Sequence, residues 1–246
     1  MIRARHLLLL AAIVAKAPAI AAERRFANIG FNHIVIETGD NVRIASGTYA
    51  ITAVGPQFAL DLLDIRQDGE TLRITRRRGG WRWDPKPLAI VVVVPALTSL
   101  TLAGPGSVLA EPLVGPSINL QLSGPGGLAV RAIKATSLAV EVSGSGGLVV
   151  GDVAADLVDV NMSGTGTAVL AGRCTTLQSR LAATGDLNAS GLACAAAHVS
   201  VPGSGSAGIN ASQQAEVDIA GSGHVVVSGG ARCVGPTSNN GQLRCN

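Results

Sequence analysis

The sequence predicts an all-β protein, a right-handed parallel β-helix (β-solenoid) with about 20 residues per coil. Three observations carry this expectation. A glycine turn returns at a nearly fixed step, apolar residues keep constant offsets from it, and the composition suits stacked small side chains. The turn reads GPGS, GPGG, GSGG, GTGT, GSGS and GSGH, and TGD at 184–186 falls in the same series. Its second glycine stands at 106, 126, 146, 166, 185, 205 and 223, in steps of 20, 20, 20, 19, 20 and 18. Four residues before that glycine lie Leu102, Leu122, Val142, Met162, Leu181, Val201 and Ile219. The positions six before, two after and four after are apolar as well, save Ser179. The position five before is mostly polar, as at Gln121, Glu141 and Asn161. This alternation is that of a half-buried strand. The glycines supply the positive φ or the close approach that a sharp corner needs.

Strands at one phase of every repeat should stack at roughly 4.8 Å per coil, with three short strands and three corners in each. The right hand follows from the preference of crossovers between parallel strands. A leucine-rich repeat has a similar period, but its LxxLxLxxN pattern is absent. An antiparallel sandwich would not need inward positions at a constant step. Calcium-binding β-roll loops need a carboxylate in every turn, and here only Asp186 supplies one.

The elements follow in chain order. Residues 1–22 read as a signal peptide, with basic Arg3 and Arg5, an apolar run from Leu7 to Val14, and small residues at Ala19, Ala21 and Ala22. Arg3, Arg5 and Lys16 carry all of the formal charge of +3, so the mature chain is neutral and its charge implies no nucleic-acid partner. No later stretch is long and apolar enough to span a bilayer as a helix. Residues 23–246 read as a single solenoid domain. Within it, 26–100 form irregular N-terminal coils and a cap, with a protruding loop at about 76–87. Residues 101–228 are the regular repeats, and 229–246 are a C-terminal cap closed by a disulfide. Cys174 and Cys194 each stand eleven residues before a turn glycine and occupy one phase of adjacent coils. Stacked Cα atoms lie within disulfide reach. Cys233 and Cys245 remain to close the terminal loop.

No catalytic constellation is legible. His33, His198 and His224 lie in unrelated phases, and His198 falls beside Gln178 and Glu216 of neighbouring coils. Ser123, Ser143 and Ser163 form a row with no base nearby. Asp152, Asp156 and Asp159 read as surface acids. There is no CxxC and no paired histidine to hold a metal, and no cofactor is expected. One feature stands out from this polar background. Arg73, Arg76, Arg77, Arg78, Arg82 and Lys86 crowd around Trp81 and Trp83, with Asp84 as the single acid. Arginine forks bind phosphate, sulfate or carboxylate, and tryptophan stacks on sugars or cations. Arg76, Arg77, Arg78, Trp81, Arg82 and Trp83 are therefore the candidate ligand-binding residues, for an anionic envelope or surface glycan or for a protein partner. The alternative is a basic hairpin that only covers the solenoid end.

The phrases FNHIVIETGDNVRI (31–44), GETLRI (69–74) and IVVVVPALTSLTLAGPGSV (90–108), with the signal peptide and the SGSG turns, resemble the bacterial family described as "putative auto-transporter adhesin, head GIN domain". Gly208-Ile209-Asn210 spells the tripeptide of that name. The resemblance covers nearly all of the mature chain. It implies a right-handed β-helix, a place in the cell envelope and an adhesive role, and it brings no catalytic residues. The family turn commonly reads SGSGD. Here the acid is missing at Gly127, Gly147 and Thr167 and kept at Asp186.

The reading of function that follows is a non-enzymatic exported protein of the periplasm or cell surface, an adhesion or scaffold module. A glycan-binding or carbohydrate-active (lyase- or hydrolase-like) protein on the same fold is the alternative. It would be marked by a groove of converging acids and bases. A structural protein that pairs a stacked face with another chain is the third reading, marked by an exposed apolar column. Peptide mapping of the unreduced protein is expected to return Cys174–Cys194 and Cys233–Cys245. Any other pairing would contradict the coil register.

Overall fold

The computed structural model describes residues 21–77, 86–235 and 241–246. The N-terminal part runs β1 (Ala22–Phe26), β2 (His33–Ile36), β3 (Asn41–Ser46), β4 (Ala50–Gly55), α1 (Gln57–Leu62), β5 (Leu63–Asp68), β6 (Thr71–Arg76) and β7 (Ala89–Val94). The repeats follow as β8 (Ser99–Leu102), β9 (Ser107–Ala110), β10 (Leu113–Leu122), β11 (Gly127–Val130) and β12 (Ile133–Val142). Next come β13 (Gly147–Met162), β14 (Thr167–Leu181), β15 (Asp186–Val201) and β16 (Ser206–Ile219). The chain closes with β17 (His224–Ser228), β18 (Arg232–Val234) and β19 (Gln242–Cys245).

Coils stack in parallel and in register, Leu120 on Val140 on Val160 on Ser179 on Val199 on Val217. Each regular coil has three faces. The first holds the four residues after the turn, as in 127–130. The second is a short stretch such as 133–135. The third is the run back to the next turn, as in 137–142. Alternate residues on all three point inward and are buried, and they merge into one apolar core along the axis. Ser179 is the polar member of its column, and its buried hydroxyl has no partner.

The turn glycines satisfy the second of the two needs set out above. None of the paired turn glycines takes a positive φ. A side chain at Gly144, Gly146 or Gly164 would instead run into backbone carbonyls of the coil before it. Turn backbones thus lie directly on one another and hydrogen-bond along the axis: Gly146 N donates to Gly124 O at 3.2 Å, and Gly166 N to Gly144 O at 3.0 Å. One shortened coil uses a positive φ. The 19-residue step is absorbed at the corner opposite Val153, where Gly172 has φ +123°. The 18-residue step drops the counterparts of Ser190, Gly191 and Leu192 and regains one residue opposite Ala195.

The first coils are not stacked in chain order. β2 pairs with β6 on one side and β8 on the other, and β3 sits between β7 and β9. The coil of residues 33–46 is therefore sandwiched, and the later coil of 71–94 lies outside it. Beyond β7 the direction of pairing changes: β4 runs antiparallel to β7, β1 antiparallel to β4, and β5 antiparallel to β6. α1 sends Ala59 and Leu60 into the core cluster, and Phe31 meets Tyr49 at 5.0 Å between ring centroids. These antiparallel strands and the helix close an end that would otherwise expose apolar columns. At the other end β18 and β19 lie on β16 and β17. Disulfide Cys233–Cys245 joins them with Cα atoms 6.6 Å apart, and Cys174–Cys194 bridges adjacent coils at 4.5 Å.

Two glycines discriminate stacking from mere glycine richness. Gly146→Ala is expected to cost about 1–3 kcal/mol, as forced overpacking does. Gly127→Ala, whose added carbon would meet nothing within 4 Å, should change stability by less than about 0.5 kcal/mol. Thermal unfolding followed by circular dichroism separates the two.

Candidate functional site

The register places the basic segment. Because β6 and β7 stack on β2 and β3, the segment between them corresponds to the place of a glycine turn, and the protruding loop expected at about 76–87 lies mostly outside the described residues. The arginines at its base are already engaged. Arg73 pairs with Glu37. Arg76 holds Asp40 through both Nε, at 2.9 Å, and Nη2. Arg77 donates to the carbonyl of Asp61 at 2.7 Å. Arg78, Trp81, Arg82 and Trp83 lie outside the described residues. Of the six candidate binding residues, Arg76 and Arg77 are thus tied down by the fold.

Asp40 is the residue that sequence reasoning missed. It stands at the phase of a turn glycine, since Asn41 aligns with Ser107 and so Asp40 with Gly106. In the regular coils the turn of the preceding coil lies against that position and excludes a side chain. Here Leu88 and Arg76 stand on that side, and a side chain fits. The carboxylate is fully buried and accepts the Leu88 N–H at 2.7 Å, the Thr38 hydroxyl and the Arg76 guanidinium. An acid at a glycine phase, in TGDN, was the available signal.

A groove follows the corner between the second and third faces, with a volume of about 600 Å³. Its floor is small, being Gly115, Ala135, Ala155 and Cys174 on successive coils. Lys134 and Arg173 stand exposed along one wall, with Ala154 between them. Thr136, Asp156 and Thr175 line the other. Neither Lys134 nor Arg173 has an ion-pair partner among the described residues. Two rungs separate these cations, about 9.6 Å.

The third face carries the polar ladder. Gln178, His198 and Glu216 stack as expected, with His198 Nδ1 3.0 Å from Glu216 Oε2. His33 and His198 do share a column, contrary to the sequence reading. They are six rungs apart, about 29 Å, and form no common site. His224 belongs to the first face. Among the described residues no three His, Cys, Asp or Glu side chains gather as a metal site would require. No helix among them is long and apolar enough to cross a membrane.

The first face differs in character. Leu109, Val149 and Val169 are exposed in one column with Ala129, and Val91 extends it beyond Arg43. Arg43 turns to pair with Glu111.

Stacked parallel coils of about 20 residues make the protein a β-solenoid, with a cationic groove, a polar ladder and an apolar face on its surface. The chain belongs to the family described as "putative auto-transporter adhesin, head GIN domain", whose profile matches residues 30–231. No curated protein matches it. Among solved structures it is similar to a putative adhesin from Parabacteroides distasonis ATCC 8503, with 17% identity and TM-score 0.84 over 92% of this chain and 97% of that one. It is similar to a putative adhesin from Parabacteroides merdae ATCC 43184, with 18% identity and TM-score 0.83 over 92% and 96%. A protein titled putative lipid binding protein, also from P. distasonis ATCC 8503, matches with 18% identity and TM-score 0.83 over 92% and 97%. At these identities the likeness is one of fold.

Replacing Asp40 by Ala would strand Arg76 and the Leu88 N–H. A loss of about 3–5 kcal/mol is expected, as for breaking a buried ion pair. Removing Arg76 as well should restore part of it, a coupling that a double-mutant cycle in urea measures.

Proposed function

We propose that the protein is an exported, non-enzymatic adhesion module of the cell envelope that holds an acidic surface glycan in the groove of Lys134 and Arg173. The observation that carries this reading is the pair of unpartnered cations spaced along a small-residue floor. A linear polysaccharide lying parallel to the axis would bring carboxylates or sulfates to both. Thr136 and Thr175 can hydrogen-bond its hydroxyls, and Asp156 can accept from them. Long-range charge does not help, because the mature chain is neutral, so recognition is local and short-ranged. The family and the adhesin titles of the structural neighbours support the adhesive part of the reading. The two disulfides support an oxidising compartment, the periplasm or the cell surface.

The test is binding to polygalacturonate and to neutral dextran at low and high salt. The wild-type protein should bind the acidic polymer in a salt-sensitive way. Lys134→Ala/Arg173→Ala should weaken that binding by about tenfold or more, the loss of charge-assisted hydrogen bonds. Binding that persists there but fails when Arg78, Trp81, Arg82 and Trp83 are replaced would move the site to the basic loop. Absence of binding by the wild type would overturn the glycan reading.

A further inference from the structure

The first face poses a question that the monomer does not answer. Gly127 and Gly147 open their strands directly after the turn, at outward positions and with no positive φ. A side chain at Gly127 would meet nothing within 4 Å, and one at Gly147 only Thr167 Oγ1 at 3.5 Å. Neither φ nor coil stacking calls for glycine there. Glycine at these two positions leaves the outer surface of the face low.

Seen along the axis, this face is a ridge beside a trough. The ridge is the column of residues three after the turn, Leu109, Ala129, Val149 and Val169. The trough is the column one after it, running through Ser107, Gly127, Gly147 and Thr167. The depression over the coils from Val91 to Val149 has a volume of about 580 Å³ and is lined almost entirely by carbon.

We infer that a second copy of this chain docks on this face, related by a two-fold axis parallel to the solenoid axis. That operation lays each ridge into the opposite trough and sets every coil against the same coil of the second copy. Val149 then fills the space over Gly147 of the second copy, and Ala129 that over Gly127, each contact occurring twice as an isologous interface demands. The charges agree with it. Arg43 comes to face Asn41, and Asp186 faces Asn188, so no like charges are directly opposed. Over the coils from Val91 to Val169 the face is mainly apolar, which separates it from the groove of Lys134 and Arg173.

The size of the face fits a second copy. The ladder runs β7, β3, β9, β11, β13, β14, β15, β16, β17, β19. Ten strands of about four residues measure about 43 Å by 13 Å. Two such faces cover about 1,100 Å², just past the roughly 1,000 Å² that a specific interface must clear. The dimer is therefore weak and depends on concentration. Molecules crowded on a surface would gain from it by effective concentration.

Sedimentation velocity of the purified protein, disulfides intact, from micromolar to submillimolar concentration tests the inference. The wild type is expected to pass from monomer to dimer. Gly147→Val fills the trough, and Val149→Lys puts charge on the ridge. Each should raise the dissociation constant at least tenfold with the melting temperature unchanged, and Gly127→Val serves as an independent trough variant. A wild type that stays monomeric overturns the proposal. So does association that survives both substitutions. Loss with Val149→Lys but not with either trough variant overturns the ridge-in-trough geometry. A monomeric wild type that binds phosphatidylcholine vesicles through Val149 would assign the face to lipid instead.

Discussion

Backbone lying on backbone at the glycine turns is the constraint on which the rest of this molecule depends. A turn that carried a side chain would push the next coil away by more than a strand spacing can absorb. Glycine at both turn positions lets Gly146 N reach Gly124 O and Gly147 N reach Gly126 O at 3.2 Å. With turn after turn held at one rung, the strands on either side have no freedom of register. The inward positions then fall into columns, and small aliphatic residues suffice to fill them. This explains a large, well-buried core in a chain that is only 2% aromatic.

Where the turn column ends, the same geometry gives a different solution. In the coil of residues 33–46 Asp40 takes the place that glycine holds elsewhere. Its carboxylate accepts the Leu88 N–H and fixes Arg76. The arginine thereby serves the architecture. The placement of 71–94 outside 33–46 has a related cause. The chain leaves the stack after Ser46 to build β4, α1 and β5 over the open end, and it re-enters beyond the coil it left. Residues 95–98 then cross back over to start the regular repeats.

A solenoid repeats its outer surface as faithfully as its core, so local substitutions become long features. Small residues at one corner of successive coils produce a groove, and cations two rungs apart line its wall. Alternation on the first face produces a ridge and a trough. Neither feature resembles a catalytic centre, which needs unlike groups converging on one point. Both resemble recognition surfaces, where a linear or repeating partner matches a linear or repeating array.

The periodicity of glycine and of apolar residues was sufficient to determine the fold, the coil length, the inward columns and the Cys174–Cys194 pair, which left Cys233 and Cys245 for each other. Each of these depends on phase within one repeat, and phase is countable along the chain. The stacking of Gln178, His198 and Glu216 was legible for the same reason. What the chain alone could not decide concerned contacts between non-successive coils and between faces. His33 and His198 fell into one column only once β2 was seen to stack on β8. Asp40 became an anchor only because β3 lies under β7. Lys134, Ala154 and Arg173 share one phase, but that their column lines a groove depends on how the second and third faces meet. That a side chain would fit at Gly127 and Gly147 but not at Gly126 and Gly146 beside them is a matter of which way each Cα points. Tertiary packing sets that direction, and composition does not record it.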